Sequence, residues 1–408
     1  MIDAFKRDFS VSAAVAGLIA LVATYSGPVL IVVQAAQAGH LPREVLSTWI
    51  WALSVGAAAL GLWLSLRRRI PVIGAWSTPG VALLITALAQ YRFSDVIGCY
   101  VALAAVIALL AWSGLFGRLI RLLPTSLLSA MIAGVLFQFC TKIFQSAQAT
   151  PALVVPVVLV YFGGRRFFPR YAVAVALLVA LAEALLSVRG VASAPSLALV
   201  RPVLTWPTWS ADSLVGLGIP LLLLALTQYA TGVTILTNAG YDASAREVVG
   251  VSGLISIPLA LFGSSGINPA AIVGALCASA ECHPDPRRRY VAGVVCGIGY
   301  LCVGVFGASV VALFVLLPAG LVATLAGLAV LGTLMGSLSS ALADERTREA
   351  SLFTFVVTVS GMSFFGLGSA LWGLLVGLAF TRILAWRNAP SPVPAATTSP
   401  ARVAGQPR

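Results

Sequence analysis

Apolar runs long enough to cross a bilayer recur along almost the whole chain. A helix of about 20 apolar residues spans the hydrocarbon layer of a membrane, and short polar or Gly- and Pro-rich breaks divide this sequence into runs of about that size. We predict fourteen segments, of which three are shorter than a full crossing. They lie at 11–38, 46–66, 71–90, 95–116, 122–143, 150–163 and 170–188 in the first half, and at 213–237, 247–263, 266–280, 289–313, 317–341, 349–363 and 366–386 in the second.

The overall balance of residue types argues against a soluble fold. Hydrophobic residues make up 60% of the 408 positions and charged residues only 9%, too few to cover the surface of a soluble protein of this size. We therefore predict an all-α polytopic membrane protein. Residues 388–408, which are rich in Pro, Ala, Ser and Thr, are predicted to form a disordered cytoplasmic tail.

Positive charge is concentrated in every second connection between the segments. The net charge is +12. With a cytoplasmic N-terminus, 20 of the 25 Lys and Arg residues fall on the cytoplasmic side, as the positive-inside rule requires. The exceptions are Arg43, Arg92, Lys142, Arg189 and Arg201. This distribution predicts a bacterial inner-membrane protein with both termini in the cytoplasm, and it explains the basic charge without a nucleic-acid partner.

The two halves of the chain resemble each other. Residues 122–130 of segment 5 match 316–324 of segment 12, and a Phe-Gly pair precedes each stretch. Residues 25–29 and 229–233, in segments 1 and 8, are a looser match. Seven segments per copy is an odd number, so the second copy enters the membrane from the opposite side, as in the inverted repeats of many transporters.

The repeat predicts how the chain is divided. The first copy covers residues 1–190, a linker covers 191–212, and the second copy covers 213–387.

Segments 3 and 10 are interrupted at matching places. Residues 74–80 and 263–269 each combine Gly with Ser, Thr or Asn and then Pro, and an apolar run follows. Ser, Thr and Asn favour the N-cap, and Pro suits the first turn of a helix. We predict a short extended strand and then a half-helix in each segment. Two such N-termini would bind an anion without a basic side chain; the alternative is a pair of Gly/Pro kinks in packed helices.

Four motifs stand out along the chain. They are Tyr25-Ser26-Gly27-Pro28, Trp76-Ser77-Thr78-Pro79-Gly80, Gly266-Ile267-Asn268, and His283-Pro284-Asp285-Pro286 followed by Arg288-Arg289-Tyr290. These motifs resemble those of the benzoate transporter (BenE) family, and the resemblance covers nearly the whole chain except the tail. It implies benzoate/proton symport and a uracil-permease-like architecture. In that architecture a core domain comprises segments 1–4 and 8–11, a gate domain comprises segments 5–7 and 12–14, and segments 3 and 10 carry short strands.

Segment 8 departs from the family pattern. It has Gln228-Tyr229-Ala230-Thr231-Gly232 where relatives often carry Gln-Asn-x-Pro-Gly. This departure bears on which substrate the chain binds rather than on the transport class.

Nine residues are predicted to bind the substrate. We expect Trp76 to stack on an aromatic ring, and Ser77, Thr78 and Asn268 to cap the half-helices or donate to a carboxylate. For each of them, packing in the bundle is the alternative. The full set is Tyr25, Trp76, Ser77, Thr78, Gln228, Tyr229, Gly266, Ile267 and Asn268.

Glu183 is the only acid well inside a predicted segment, which makes it the candidate for proton coupling. It belongs to the predicted gate. Nucleobase-type relatives of this architecture use acids on segments 8 and 10, and this chain has none in the middle of either. That absence fits an anionic substrate, which a nearby carboxylate would repel. The proton is then carried either on a side chain or on the substrate itself.

The favoured function is uptake of benzoate or a related aromatic acid, with a small organic anion, the proton and the lipid bilayer as partners. A small inorganic anion exchanger or channel and a nucleobase-type permease stay as alternatives, and a homodimer stays open as the assembly. No enzyme is predicted, because His40 and His283 lie in loops without a nucleophile nearby. No cofactor or metal is expected, since the six cysteines form no metal-ligand pattern.

Overall fold

The computed structural model describes residues 5, 7–122, 124–169, 171–187, 199–315, 317–362, 364 and 368–387. The predicted tail and the first part of the predicted linker lie outside these residues. Helices dominate the described part, as predicted. Their bounds are α1 Val11–Ser26, α2 Pro28–Ala38, α3 Arg43–Arg68, α4 Thr78–Ala87, α5 Phe93–Trp112, α6 Phe116–Leu122, α7 Thr125–Ala149, α8 Pro151–Phe167, α9 Ala172–Ser187, α10 Ile219–Asn238, α11 Ala245–Ala260, α12 Ile272–Ala278, α13 Tyr290–Val305, α14 Gly307–Val315, α15 Ala319–Leu342, α16 Arg348–Val359 and α17 Ser369–Arg387.

Within the described ranges, seven helical stretches are long and apolar enough to cross a membrane. They include α3, α5, α7 and α15, the continuous stretches of α1 with α2 and of α10 with the turns before it, and α13 with the turn before it. Shorter apolar helices at α4, α9 and α17 lie in predicted segments 3, 7 and 14. The chain is therefore a multi-pass membrane protein.

Segment 1 has the predicted bounds, 11–38. Within it, Pro28 has no N–H for the helical ladder and divides the segment into α1 and α2. Two other predicted segments differ from the structure. Segment 11 is divided at Phe306, the C-cap of α13, where the backbone (φ −95°, ψ 21°) leaves the helical conformation. The helix of segment 5 continues through residues 144–149 and ends six residues later than predicted, at Ala149.

Two strands cross the middle of the molecule. β1 (Gly74–Trp76) pairs antiparallel with β2 (Ile267–Pro269), and Ala75 lies opposite Asn268. Helix α3 packs directly behind β1: a Cβ on Gly74 would lie 2.2 Å from the Ala57 carbonyl oxygen, so only glycine fits. This pairing confirms the predicted extended pieces and brings the two interrupted segments together.

The helices form two packing groups. The strand group consists of β1, β2 and the helices packed around them, namely α1–α5 and α10–α13. The bundle group is α7, α8, α9, α15, α16 and α17, with α7 against α15 as its most extensive contact. Those two helices approach closely because Gly327 has no side chain, and a Cβ there would lie 2.5 Å from the Phe139 carbonyl oxygen.

Candidate functional site

The first half-helix begins as the sequence predicts. Ser77 is extended and caps α4, with its Oγ accepting a hydrogen bond from the Gly80 N–H at 2.9 Å. Thr78 and Pro79 occupy the first two helical positions, where the missing N–H of proline does no harm. The positive end of the α4 dipole therefore lies at Ser77, directly after β1.

The second half-helix begins later than predicted, and Asn268 does not cap it. The N-cap is Ala271, and α12 is only seven residues long, from Ile272 to Ala278. The strand pairing is the reason: the Ala270 N–H donates to the Ile73 carbonyl at 2.8 Å, which keeps the chain extended past Asn268. A helix this short has little dipole. Of the two helix N-termini predicted to bind an anion, α4 therefore provides the main one.

A small cavity lies between β2, the start of α4, and helices α5, α10 and α11. Four predicted residues line it together: Ser77, Tyr229, Gly266 and Asn268. They come from both halves of the chain, as the prediction required. The remaining wall consists of Leu103, Ala104, Ile107, Ala225, Ser256 and Ser265.

Helices α10 and α11 hold the backbone of β2 through hydroxyl groups. The Tyr229 hydroxyl donates to the Ile267 carbonyl at 2.6 Å and lies 2.8 Å from the Ser252 Oγ, which also contacts that carbonyl. At the other end of the same residue, the Ile267 N–H donates to the Ser256 Oγ at 3.0 Å. Tyr229 therefore positions the strand as well as lining the cavity.

Ser265 is a cavity residue that the sequence prediction missed. Its Oγ is buried and has no hydrogen-bond partner among the described residues. An unpaired buried hydroxyl costs about 1–3 kcal/mol, so a ligand that accepts from it recovers that cost. Its position directly before Gly266 in the interrupted segment 10 was the available signal.

Tyr25 and Trp76 lie outside the cavity lining, in an aromatic cluster with Tyr300. The Trp76 ring meets the edge of Tyr25 at 5.7 Å and that of Tyr300 at 6.1 Å between centroids. The Tyr25 hydroxyl lies 3.4 Å from the Ser54 Oγ. In this arrangement the indole packs against protein, so ring stacking on a substrate stays a prediction.

The other predicted residues occupy supporting positions. Ile267 is fully buried, and its side chain packs against Gly56 of α3. Thr78 and Gln228 are half-buried and do not line the cavity. Glu183 lies on α9, an element that contributes nothing to the cavity wall, and its Oε2 is buried without a partner in the described part of the chain.

The cavity wall carries polar groups but no charge: among the described residues that line it, none is Asp, Glu, Lys or Arg. Hydroxyl and amide donors next to a helix N-terminus suit a negatively charged ligand. No group of three or more potential metal ligands occurs within the described ranges. The chemistry that this arrangement offers is reversible binding of a small anion.

Comparison with known proteins gives a family for the whole chain. The BenE family model, described as benzoate membrane transport protein, matches residues 7–383. The benzoate membrane transport protein of Acinetobacter baylyi is 38% identical over 379 residues, which are 93% of this chain and 96% of that protein. The inner membrane protein YdcO of Escherichia coli is 36% identical over 363 residues, covering 89% and 93% of the two chains.

Solved structures show the same fold at low identity. The transmembrane domain of a cyanobacterial bicarbonate transporter, BicA, aligns with a TM-score of 0.56 and 15% identity over 90% of this chain and 97% of that one. The structure of SLC26A9 aligns with a TM-score of 0.57 and 12% identity, over 91% of this chain and 65% of that one.

These matches confirm the family that the motifs at Tyr25, Trp76, Gly266 and His283 indicated. The family and its Acinetobacter relative are named for membrane transport rather than for an enzymatic reaction. The chain belongs to the BenE family of benzoate membrane transport proteins and is a membrane transporter.

Proposed function

We propose that this chain takes up benzoate or a related aromatic carboxylate together with protons, by alternating access. The name of the Acinetobacter relative supports the substrate. The observation that carries the proposal is the uncharged cavity at the N-terminus of α4. Ser77, Asn268 and Ser265 line it together, and the buried Ser265 hydroxyl has no hydrogen-bond partner among the described residues.

In this proposal the carboxylate binds at the N-terminus of α4. Ser77, Ser265 and Asn268 surround that helix end with hydroxyl and amide groups. The ring of the substrate then lies against the apolar wall formed by Leu103 and Ile107.

Neutral donors also suit the transport cycle. A fixed cation in a site of low dielectric would hold an anion strongly and slow its release. Backbone N–H groups and hydroxyls stabilise the carboxylate less strongly, so the same site can load and unload.

We further propose fourteen membrane segments arranged as two inverted copies, 1–190 and 213–387, with both termini cytoplasmic. The antiparallel pairing of β1 with β2 supports opposite insertion of the copies. A matched contact supports it as well: the Tyr25 hydroxyl meets Ser54, and the Tyr229 hydroxyl meets Ser252. The helices α6 and α14 also precede α7 and α15 in the same way.

The two packing groups supply the moving parts. The strand group corresponds to the core domain and the bundle group to the gate domain, and the site belongs to the core. Alternating access is then a displacement of one group against the other around a fixed site. Protons enter either on Glu183 in the gate or on the substrate carboxylate.

Transport of a small inorganic anion is the second candidate function. The packing of Trp76 between Tyr25 and Tyr300 favours it, because no aromatic stacking partner other than Tyr229 lines the cavity within the described residues. The same neutral donors would accept bicarbonate or chloride.

The test is uptake of labelled substrates into proteoliposomes with an alkaline interior. Protein-free liposomes measure passive entry of benzoic acid, which must be subtracted. We expect saturable benzoate uptake that competing aromatic acids inhibit and that collapses when the pH gradient is dissipated. Uptake of bicarbonate or chloride without benzoate would favour the second function, and uptake of uracil alone would overturn both.

A further inference from the structure

A second and larger cavity lies between the two packing groups. It is partly open, and its empty space, which includes open solvent, is about 710 Å³. We call it the vestibule. The strand group contributes the second half of α4 and the turns before α10. The bundle group contributes α7, Thr358, Gly361 and residues 368–370. With the proposed cytoplasmic N-terminus, α4 ends at the periplasmic face, so the vestibule opens to the periplasm.

Lys142 is the one charged residue among those that line the vestibule in the described part of the chain. The sequence placed it at the end of segment 5 and outside the membrane, but α7 continues to Ala149. Lys142 thus lies seven residues before the helix end, about 10 Å deep along the axis. An ionisable residue at such a depth normally faces water or a partner.

The ammonium group of Lys142 has an aromatic neighbour but no carboxylate. Its Nζ lies 5.8 Å from the ring centroid of Phe139, another vestibule residue. No Asp or Glu of the described residues lies within ion-pair distance of it, and none lines the vestibule. A half-buried cation without a counter-ion, in a cleft that is otherwise apolar or neutral, is a binding point for an anion.

The vestibule continues towards the proposed substrate site along two shared helices. On α4, Ser77 caps the helix at the inner cavity, whereas Ala82 lines the vestibule. On α10, Ala225 lines the inner cavity and Pro220 the vestibule. Five residues of helix separate the two cavities in each case, which is about 7–8 Å.

Leu221 fills the space between them. A Cβ on Gly80 would lie 3.4 Å from the Leu221 Cδ2, so this buried side chain packs against α4 at the level between the two cavities.

We propose that the vestibule is an outer binding site for the substrate, in which Lys142 holds the carboxylate before it passes Leu221 to the site at Ser77. The ligand class is a monocarboxylate with a small apolar body, because Leu83, Phe139 and Leu217 provide the apolar wall. The inference rests on the proposed function, since it supplies the access route for the same substrate.

Two variants and one control test the role of Lys142 in uptake. Lys142→Gln keeps the size and polarity of the side chain but removes its charge, and we expect it to raise KM for benzoate roughly tenfold, the scale of one lost charge-assisted hydrogen bond. Vmax should change by no more than about twofold, because the inner site is intact. Lys142→Arg should retain most of the affinity. Arg43→Gln removes a positive charge from an exposed position on α3, outside the vestibule, and should leave KM unchanged.

A chemical readout separates this proposal from the proposed function. The chain has two lysines, Lys6 and Lys142, so an amine-reactive reagent can be followed at each by mass spectrometry of the purified protein in detergent. We expect benzoate at saturating concentration to slow modification of Lys142 at least fivefold and to leave Lys6 unaffected. Chloride at the same ionic strength should protect less.

The outcomes are distinct. If the wild-type protein transports no benzoate but benzoate still protects Lys142, the outer site stands and the proposed function fails. If Lys142→Gln leaves KM unchanged, or Arg43→Gln raises it equally, or benzoate does not protect Lys142, the outer site is overturned.

Discussion

Exchanging Ser77 for aspartate adds a negative charge at the point where the substrate carboxylate is proposed to bind. Ser77 is buried, caps α4 and lines the cavity. Aspartate caps helices as well as serine does, and its carboxylate is stabilised by the same helix end. We therefore expect Ser77→Asp to insert and fold, but to lose affinity for benzoate.

The size of the loss follows from two effects. Two carboxylates about 5 Å apart at an effective dielectric constant of about 20 repel each other by about 3 kcal/mol. The aspartate also takes up the interaction with the α4 dipole, which contributes about 0.3–1 kcal/mol to a bound anion. Together these effects predict an affinity at least about 100-fold weaker, at 1.4 kcal/mol for each factor of ten.

The matched control is Ser77→Asn, which has the shape of aspartate and also caps helices well, but carries no charge. We expect it to retain a measurable part of the affinity. Ser10→Asp places the same charge on another capping serine, at the start of α1, and should bind benzoate normally. Calorimetry on the purified variants at pH 8 measures the affinities. Equal affinities for Ser77→Asp and Ser77→Asn would refute binding of the carboxylate at the N-terminus of α4.

Four further outcomes are expected. Arg289→Ala should lower the free energy of unfolding by about 1–3 kcal/mol or more, because the buried guanidinium donates to the Ala278 carbonyl at the end of α12 at 2.7 Å and to two loop carbonyls. Thermal unfolding in detergent measures the change, and unchanged stability would exclude this capping role. A cysteine at position 288 in a cysteine-free background should be labelled only from the cytoplasm, and labelling from the periplasm of intact cells would refute the fourteen-segment topology. Glu183→Gln should slow uptake but keep some dependence on the pH gradient, whereas complete loss of that dependence with intact binding would identify Glu183 as the coupling residue. Trp76→Ala should lower the free energy of unfolding by about 3–5 kcal/mol, because it opens a cavity in the aromatic cluster. If the variant also loses more affinity for aromatic than for aliphatic acids, the ring stacks on the substrate as well.

Sequence alone determined the features that depend on short stretches of chain. Apolar runs locate the helices because the bilayer requires each segment to be apolar along its length. The cap at Ser77 was predictable because capping depends on residues three positions apart. The motifs at Tyr25, Trp76 and Gly266 were sufficient to indicate the family that the comparisons confirm.

Tertiary structure decided which of these residues meet. Asn268 has the side chain of a cap, but hydrogen bonds between β1 and β2 keep it in a strand, and those bonds join positions almost 200 residues apart. Ser265 became a candidate only because folding leaves its buried hydroxyl without a partner in the described part of the chain. Lys142 was predicted at the last positions of segment 5 and counted with the periplasmic charges, but α7 continues to Ala149, packs against α15 and places Lys142 in the wall of the vestibule. In each case the deciding contact comes from a distant part of the chain, and a local pattern contains no information about such a neighbour.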